Sequence, residues 1–159
     1  MRIHLIWAQE EDGGIGVQGK LPWHISEDLQ NFKQLTLNST ILMGRKTWES
    51  LPFKPLPKRR NIVLSSKKKI NSECYQSVEE CLSKLLEQEV DKLFIIGGSK
   101  VYQNFINRAD ELHITQINKT TKGIDTYFPI TIEEIEKHFS KIKEIKLSDN
   151  AIYSNWSKL

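Results

Sequence analysis

Short runs of apolar residues recur along the chain, separated by polar or glycine-bearing stretches. Five of these runs are rich in β-branched residues and almost continuously apolar; they cover residues 3–8, 39–44, 60–66, 92–98 and 111–117. Strands that are buried on both faces have this composition. The pattern therefore predicts a central β-sheet.

A helical pattern follows the first strand and a loop. Leu29, Phe32 and Leu35 recur at a spacing that places them on one inward face of a helix. Ser26 has the residue type of an N-cap and is predicted to start this helix. Asp28 lies at the edge of the apolar face, so one carboxylate stands among apolar and aromatic side chains.

Two further helices and a different tail complete the pattern. Ser77 and Glu80 form a capping box, and another helix is predicted from Ser99. Strands and helices that alternate in this way favour a parallel sheet with crossover helices. Residues 138–147 and 151–159 instead alternate like antiparallel strands added to an edge. We therefore predict an α/β fold with a mixed, mostly parallel central sheet flanked by helices.

The composition fits one globular domain over residues 1–159. Hydrophobic residues make up 38% of the chain and charged residues 27%, and a single core suffices for this length. The N-terminal apolar run is too brief for a signal peptide, and no run approaches the ~18 residues of a membrane span. Cys74 and Cys81 lack the spacing of a disulfide framework or zinc motif and are interpreted as reduced thiols. These features predict a cytoplasmic protein without a membrane partner.

The charge pattern favours a small anionic ligand. The net charge is only +3, and the basic clusters at 54–60 and 67–69 are short. Nucleic-acid binding usually needs a wider basic surface with interleaved aromatic residues, so no nucleic-acid partner is predicted. A nucleotide phosphate or a substrate carboxylate fits these clusters better, and the lysines at 67–69 are also explained as a solvated face. A monomer is expected, because no excess apolar stripe calls for a second subunit.

A glycine-bearing loop follows the first predicted strand. Gly13, Gly14, Gly16 and Gly19 lie in this loop, where positive φ angles and close approach of the backbone to a ligand are possible. Loops of this length are often active-site lids, although a flexible turn is the alternative. The glycines do not form the dinucleotide fingerprint, because the third glycine and the immediate helix are missing.

The strand that ends at Gly44 leads into a group suited to phosphate. Arg45, Lys46 and Thr47 stand at a predicted helix N-terminus, where free N–H groups, the positive end of the helix dipole and two cations coincide. An exposed basic turn is the alternative interpretation.

A second strand delivers Gly97 and Gly98 to the start of the helix that carries Lys100. Adjacent glycines allow close backbone approach to a pyrophosphate, although one such turn is a weak indication. Ligands of open α/β sheets bind outside the carboxyl ends of the strands, where both loops are expected.

No other catalytic pattern competes with these loops. His4, His24, His113 and His138 are scattered without metal-ligand spacing and are interpreted as structural, so no metal site is predicted. A half-buried acid, a mobile loop and two phosphate-binding turns fit reduction by a dissociable nucleotide, which itself supplies the difficult chemistry.

Six strings of the sequence resemble those of bacterial dihydrofolate reductase, in that family's order and spacing. They are LIWAQEEDGGIG, LPWHISEDLQNFKQLT, ILMGRKTWESLP, PLPKRRNIVLSS, FIIGGSKVYQNF and DTYFP. The resemblance implies the family's α/β sandwich and the reduction of 7,8-dihydrofolate by NADPH, with hydride transfer to C6 and protonation at N5. It also implies a role in one-carbon metabolism, and antifolates such as methotrexate or trimethoprim as inhibitors.

The same resemblance implies roles at the substrate. Asp28 matches the acid that binds the 2-amino group and N3 of the pterin, Thr115 the threonine beside that acid, and Trp23 the tryptophan that holds an ordered water. Arg59 matches the residue that clamps the glutamate α-carboxylate. The residues implied to line the slot are Ile6, Trp7, Ala8, Leu29, Phe32, Leu51 and Ile96, of which Ile6 and Leu29 are also explained by core packing.

The resemblance implies NADPH as the cofactor in preference to NADH. Arg45 and Lys46, together with Ser66 and Lys67, resemble the pocket for the 2′-phosphate. The family also places a cis peptide between Gly97 and Gly98. The other residues implied to contact the cofactor are Ala8, Ile15, Gly16, Leu21, Gly44, Thr47, Leu64, Ser65, Gly97, Gly98, Ser99, Lys100, Val101, Tyr102 and Thr126.

The sequence departs from the family pattern at some positions, and two alternative functions are left to be tested. Ser99 stands where glycine or alanine is common, and Lys100 where arginine is frequent, which keeps the charge but loses the planar fork. Another NADPH reductase of related fold, such as the riboflavin-pathway pyrimidine reductase, would not need Asp28, Phe32 and Arg59 together. A non-catalytic nucleotide- or folate-binding module is the other alternative.

Overall fold

Strands and helices alternate along the described part of the chain, residues 1–67 and 69–159, in a computed structural model. Lys68, in the basic cluster at 67–69, lies outside the described residues. The strands are β1 (Arg2–Glu10), β2 (Gly14–Gly16), β3 (Thr40–Gly44), β4 (Arg60–Leu64), β5 (Glu73–Tyr75), β6 (Lys92–Ile95), β7 (Glu111–Ile117), β8 (Thr126–Tyr127), β9 (Phe139–Ser148) and β10 (Ala151–Lys158). The α-helices are α1 (Ser26–Thr36), α2 (Arg45–Ser50), α3 (Val78–Glu87), α4 (Ser99–Phe105) and α5 (Ile132–His138), and a 3-10 turn (Ile106–Arg108) follows α4.

One eight-stranded sheet has the order β5-β4-β3-β6-β1-β7-β10-β9, and β2 pairs with β8 in a separate ribbon. The strands from β5 to β7 pair in parallel, while β10 is antiparallel to both β7 and β9. The predicted mixed, mostly parallel sheet is therefore confirmed. The sequence did not predict β2, β5, β8 or α5, because such short elements carry little periodicity. None of the helices in the described residues is long and apolar enough to cross a membrane.

Each face of the sheet has its own core, because successive side chains of a strand point to opposite faces. On one face Leu5, Trp7 and Leu42 pack with buried side chains of α3 and α4. On the other face Ile6 and Ile41 pack with side chains of α1. The second face, beneath α1, carries the candidate site.

Helix α1 begins one residue earlier than predicted. Ile25 is the residue before the first helical turn, and its carbonyl accepts bonds from the N–H groups of residues 28–29 at 3.1 Å. Ser26 is already helical and makes no capping bond, so its prediction as N-cap is wrong: Ile25 takes the extended backbone conformation of that position. Ser77 does cap α3, accepting a 3.1 Å bond from the N–H of Glu80.

Candidate active site

The carboxyl ends of neighbouring parallel strands meet at one edge of the sheet. The register pairs Gly44 with Leu64 across β3 and β4, and Ala8 with Thr115 across β1 and β7. Strand β6 lies between β3 and β1, and its last residue, Ile95, pairs with Leu42 and Leu5, so its carboxyl end points to the same edge. The loops that the sequence analysis singled out therefore share the end of the sheet at which ligands of α/β proteins bind.

Asp28 lies in the first turn of α1. Burial raises the pKa of its carboxyl group, and hydrogen bonding with the Thr115 side chain lowers it again in part. No charged group among the described residues contributes to this shift. Desolvation without a cationic partner favours the protonated form of an acid, and such an acid can pair with the amidine edge of a ligand.

Trp23, just before α1, presents a buried donor to the same region. Its side chain packs with Ala8, Ile25 and Ile117 and is only 7% exposed. Its Nε1 is buried and has no hydrogen-bond partner in the described part of the chain. Because an unsatisfied buried donor costs free energy, this N–H is suited to a polar group that arrives with a ligand.

An apolar wall joins the sheet to α1 and to the loop after α2. Its members are Ile6, Phe32, Leu51, Leu56 and Ile96. The family resemblance implied four of them, but Leu56 was missed, because a leucine between two prolines belongs to no periodic pattern. The wall offers a flat heterocycle an apolar surface beside a single acid.

Two residues expected in this wall are placed differently. Leu29 is 41% exposed and belongs to neither core, so its prediction as an inward, packing residue is wrong: this side of α1 is open. The Trp7 side chain lies on the opposite face of the sheet, stacked on Phe128 with ring centroids 3.6 Å apart. Adjacent strand residues point to opposite faces, so only the backbone of Trp7 can face a ligand beside Ile6.

Arg59 is held in the loop between α2 and β4. Its Nη1 donates to Thr36 Oγ1 at 3.2 Å and its Nε donates to the carbonyl of Pro57 at 2.9 Å. The Asn61 side chain fixes this loop through bonds to the N–H and carbonyl of Leu56 at 2.9 and 3.0 Å. Burial lowers the pKa of Arg59, and its hydrogen-bond partners are neutral. A positioned guanidinium with donors to spare suits a carboxylate ligand.

The turn between β6 and α4 is shaped for close backbone approach. The N–H of Gly44 donates to the carbonyl of Gly97 at 2.8 Å, and the Gly97–Gly98 peptide is cis, as the resemblance implied. Gly97 has a φ of +127°, and a Cβ there would lie 3.3 Å from Tyr102 Oη and 3.6 Å from Thr47 Oγ1. Glycine is therefore required at this position, and the Thr47 hydroxyl lies beside it.

The basic residues at the start of α2 lie beside the end of β4. Arg45 Nη1 bonds to Glu49 Oε1 at 2.7 Å, and Lys46 is exposed. The register of β3 and β4 places the turn at 65–67 next to them. In this turn Ser66 and Lys67 are exposed. The arrangement gathers cations and hydroxyl groups at one open corner, which suits a phosphate.

The glycine-bearing loop forms a ribbon instead of an irregular turn. Gly14 pairs with Tyr127 across β2 and β8. Asp125 donates its N–H to the carbonyl of Gly16 at 3.1 Å, and its Oδ2 accepts from the N–H of Gln18 at 2.9 Å. The string DTYFP begins at Asp125, but the sequence analysis gave this residue no role; the family string was the signal that could have identified it.

The remaining predicted cofactor residues border the turn and the ribbon. The Ser99 hydroxyl donates to the carbonyl of Tyr127 at 3.0 Å, which links α4 to the ribbon. Leu21 is 57% exposed, and Val101 is buried against the Gly44 backbone. The others lie on the elements already described: Ile15, Gly16, Leu64, Ser65, Lys100 and Thr126.

Known proteins share both this sequence and this fold. The family model described as Dihydrofolate reductase matches residues 2–155. A dihydrofolate reductase of Buchnera aphidicola subsp. Acyrthosiphon pisum is 41% identical over 130 residues, which are 81% of this chain and 80% of that protein. One of Mycobacterium leprae is 40% identical over 121 residues, 73% of this chain and 72% of that protein.

A solved structure agrees with the sequence comparisons. Dihydrofolate reductase from Enterococcus faecalis, complexed with NADP(H) and RAB-propyl, is 34% identical. It superposes with a TM-score of 0.87 over 99% of this chain and 96% of that one. By its sequence, its sheet topology and the arrangement of its cleft, this chain belongs to the dihydrofolate reductase family.

Proposed function

We propose that the cleft beneath α1 reduces 7,8-dihydrofolate to 5,6,7,8-tetrahydrofolate with NADPH, and so supports one-carbon metabolism. The observation that carries the proposal is the pairing of one desolvated acid, Asp28, with an apolar wall and a glycine turn at the same edge of the sheet. The enterococcal relative, which has this fold, is complexed with NADP(H). NADPH, when bound, supplies the hydride that is delivered to C6 of the pterin.

Asp28 binds the pterin and keeps a proton available for its reduction. Its carboxyl group pairs with the 2-amino group and N3 of the ring, and the raised pKa favours the protonated form that couples to protonation at N5. The Thr115 side chain orients this acid. The unpartnered N–H of Trp23 provides a donor for a water molecule beside the ring.

The rest of the substrate follows the apolar wall to Arg59. Ile6, Phe32, Leu51 and Ile96 contact the ring and the benzoyl group, while Ala8 and the Trp7 backbone border the ring from β1. Leu29 also contacts the substrate, because its exposed side chain is accessible to a ligand. Arg59 binds the glutamate α-carboxylate with the donors that its bonds to Thr36 and Pro57 leave available.

The residues that would hold NADPH line the edge of the sheet. Arg45 and Lys46, with the turn at 65–67, bind the 2′-phosphate, and this gives the preference for NADPH over NADH. Thr47 and the turn at 97–101 receive the pyrophosphate, where a side chain at Gly97 would obstruct close approach. Residues of the ribbon and β1 border the nicotinamide: Ala8, Ile15, Gly16 and Leu21.

We further propose that residues 1–159 act as one domain and as a monomer in the cytoplasm, without nucleic-acid or membrane partners. Folate-like antifolates such as methotrexate or trimethoprim compete for the apolar wall and Asp28. Size-exclusion chromatography with light scattering tests the monomer, and an increased mass at micromolar concentration would contradict it.

The experiment that tests the proposed function compares two substrates. The protein is mixed with NADPH and either dihydrofolate or the ribosylated pyrimidine of the riboflavin-pathway reductase, and the products are identified by mass spectrometry. We expect tetrahydrofolate from the first mixture and no reduced product from the second. Reduction of the pyrimidine alone would assign the chain to the other reductase, and binding of both ligands without product would make it a non-catalytic module.

A further inference from the structure

A second cluster of potential ligands lies at the opposite end of β1 and β7 from the cleft. His4 pairs in register with Glu111, and Ile6 pairs with His113. The side chains of His4, Glu111 and His113 therefore extend from the same face of the sheet. The sequence analysis interpreted both histidines as isolated and structural, because the two residues are distant in the chain; parallel pairing of β1 and β7 brings them together.

The three side chains present one ligand atom each at close range. His4 Nδ1 and His113 Nε2 are 3.0 Å apart, and Glu111 Oε2 lies 3.5 Å from the first and 3.8 Å from the second. A point equidistant from three atoms with these separations is about 2.0 Å from each, and zinc binds imidazole nitrogens and carboxylate oxygens at about 2.0–2.2 Å. The triangle has the size of a face of a tetrahedral zinc site.

From this geometry we infer that His4, Glu111 and His113 form a binding site for a divalent transition-metal ion such as Zn²⁺, separate from the reductase cleft. Two imidazoles and a carboxylate are a ligand set that zinc accepts, with water as the fourth ligand. The ion would join β1 to β7 directly, so its expected role is to stabilise the sheet.

The hydrogen bond between the two rings identifies the nitrogens that a metal would use. His4 Nδ1 faces His113 Nε2 at 3.0 Å, so one ring donates and the other accepts. A neutral imidazole has one nitrogen with a free lone pair for a metal. Binding of an ion to both facing nitrogens requires the donating ring to carry its proton on its other nitrogen, and this change of tautomer leaves the ring neutral with a lone pair toward the metal.

Neighbouring groups orient the ligands. Tyr153 Oη bonds to Nδ1 of His113 at 2.7 Å and leaves Nε2 directed at the cluster. Arg2 donates to Glu111 Oε1 at 3.0 Å and leaves Oε2 toward the histidines. Such outer hydrogen bonds commonly orient metal ligands. The positive charge of Arg2 opposes a cation, but it is 54% exposed and so is screened by solvent.

The cluster is accessible on one side only. The side chains of His4 and His113 are 7% and 6% exposed, whereas that of Glu111 is 22% exposed. Glu111 is therefore the most accessible ligand for an arriving ion, and Phe94 covers His4, on which it stacks with ring centroids 4.6 Å apart.

Cobalt provides the test, because Co²⁺ takes zinc sites and its visible absorption reports tetrahedral coordination. Chelator-treated full-length protein is titrated with Co²⁺ and then with Zn²⁺, and thermal unfolding is followed with and without Zn²⁺. We expect one equivalent of tetrahedral Co²⁺, its displacement by Zn²⁺, and a higher melting temperature with Zn²⁺. Octahedral spectra only, or no saturation at one equivalent, would overturn the inference.

Variants identify the ligands. His113→Gln and the partly exposed Glu111→Gln, which is expected to fold readily, should weaken Co²⁺ binding by at least about tenfold. The matched controls His24→Gln and His138→Gln remove exposed histidines and should bind Co²⁺ like the unaltered protein. Unchanged binding in Glu111→Gln, or equal loss in a control, would overturn the assignment. Reductase turnover by the metal-free protein is expected in every case, so failure here leaves the proposed function intact.

Discussion

Tyr102 Oη donates a 2.7 Å hydrogen bond to the carbonyl oxygen of Ile6. The bond joins α4, which begins at the glycine turn, to the strand that carries the apolar wall. Both groups are buried, so the bond ties the proposed cofactor region to the proposed substrate region.

Removal of this hydroxyl should lower stability. We expect Tyr102→Phe to reduce the free energy of unfolding by about 1 kcal/mol, because a buried acceptor loses its donor. Urea unfolding measures the change. The matched control is Tyr127→Phe, since the Tyr127 side chain is 46% exposed and should change stability by less than about 0.5 kcal/mol. Equal losses in the two variants would show that the bond to Ile6 contributes nothing.

Asp28→Asn separates catalysis from cofactor binding. We expect turnover near neutral pH to fall by about a hundredfold or more, because the amide cannot supply a proton to the pterin. NADPH affinity, measured by quenching of tryptophan fluorescence, should change little. Glu27→Gln, at the exposed neighbouring position, is the control for loss of one charge in the first turn. A parallel loss of turnover and NADPH affinity would contradict the role given to Asp28.

Thr115 sets the pH range over which Asp28 holds its proton. Burial raises the pKa of Asp28 and the bond with Thr115 lowers it, so Thr115→Val should raise this pKa further. Turnover declines as pH rises through the pKa of the required acid, so the midpoint of that decline should move to higher pH in Thr115→Val. Thr115→Ser keeps the hydroxyl and should keep the midpoint. If the midpoint is the same in all three proteins, Thr115 does not affect the pKa of Asp28.

Arg45 is expected to select the phosphorylated cofactor. Arg45→Ala should weaken NADPH binding by about ten- to a hundredfold, the range for losing a charge-assisted hydrogen bond, and should leave NADH binding nearly unchanged. Equilibrium dissociation constants for the two nucleotides measure this discrimination. Lys143→Ala removes an exposed cation of β9 and serves as the control. If Arg45→Ala weakens the binding of NADPH and of NADH by the same factor, the 2′-phosphate does not bind at Arg45.

The fold was predictable where local patterns are strong. Continuous apolar runs identified five of the six strands that pair in parallel, and Ser77 with Glu80 marked the start of α3. The same pattern failed for one residue, since the periodicity that placed Phe32 on an inward face of the helix also placed Leu29 there, and Leu29 is exposed. Apolar spacing describes a face of a helix, but it does not say how far the neighbouring elements extend to cover that face.

The site was predictable where a motif and a strand end coincide, as at Gly97 and Gly98. Contacts that depend on register between distant strands were not, and the meeting of His4 with His113 is the clearest case. Leu56 and Asp125 belong to the same class, because their partners are set by the tertiary path of two loops. Strand order and the path of the loops decide such contacts, and local sequence patterns indicate neither.

Hydride transfer from NADPH to dihydrofolate in this cleft can be observed in a single assay. The most direct measurement is the fall in near-ultraviolet absorbance of NADPH after purified protein and dihydrofolate are mixed, repeated with NADH and with methotrexate. We predict a rapid decrease with NADPH, a much slower one with NADH, and no decrease when methotrexate is present. Folded protein that leaves NADPH unoxidised, or oxidises it equally well with methotrexate present, would contradict the proposed reduction of dihydrofolate in this cleft.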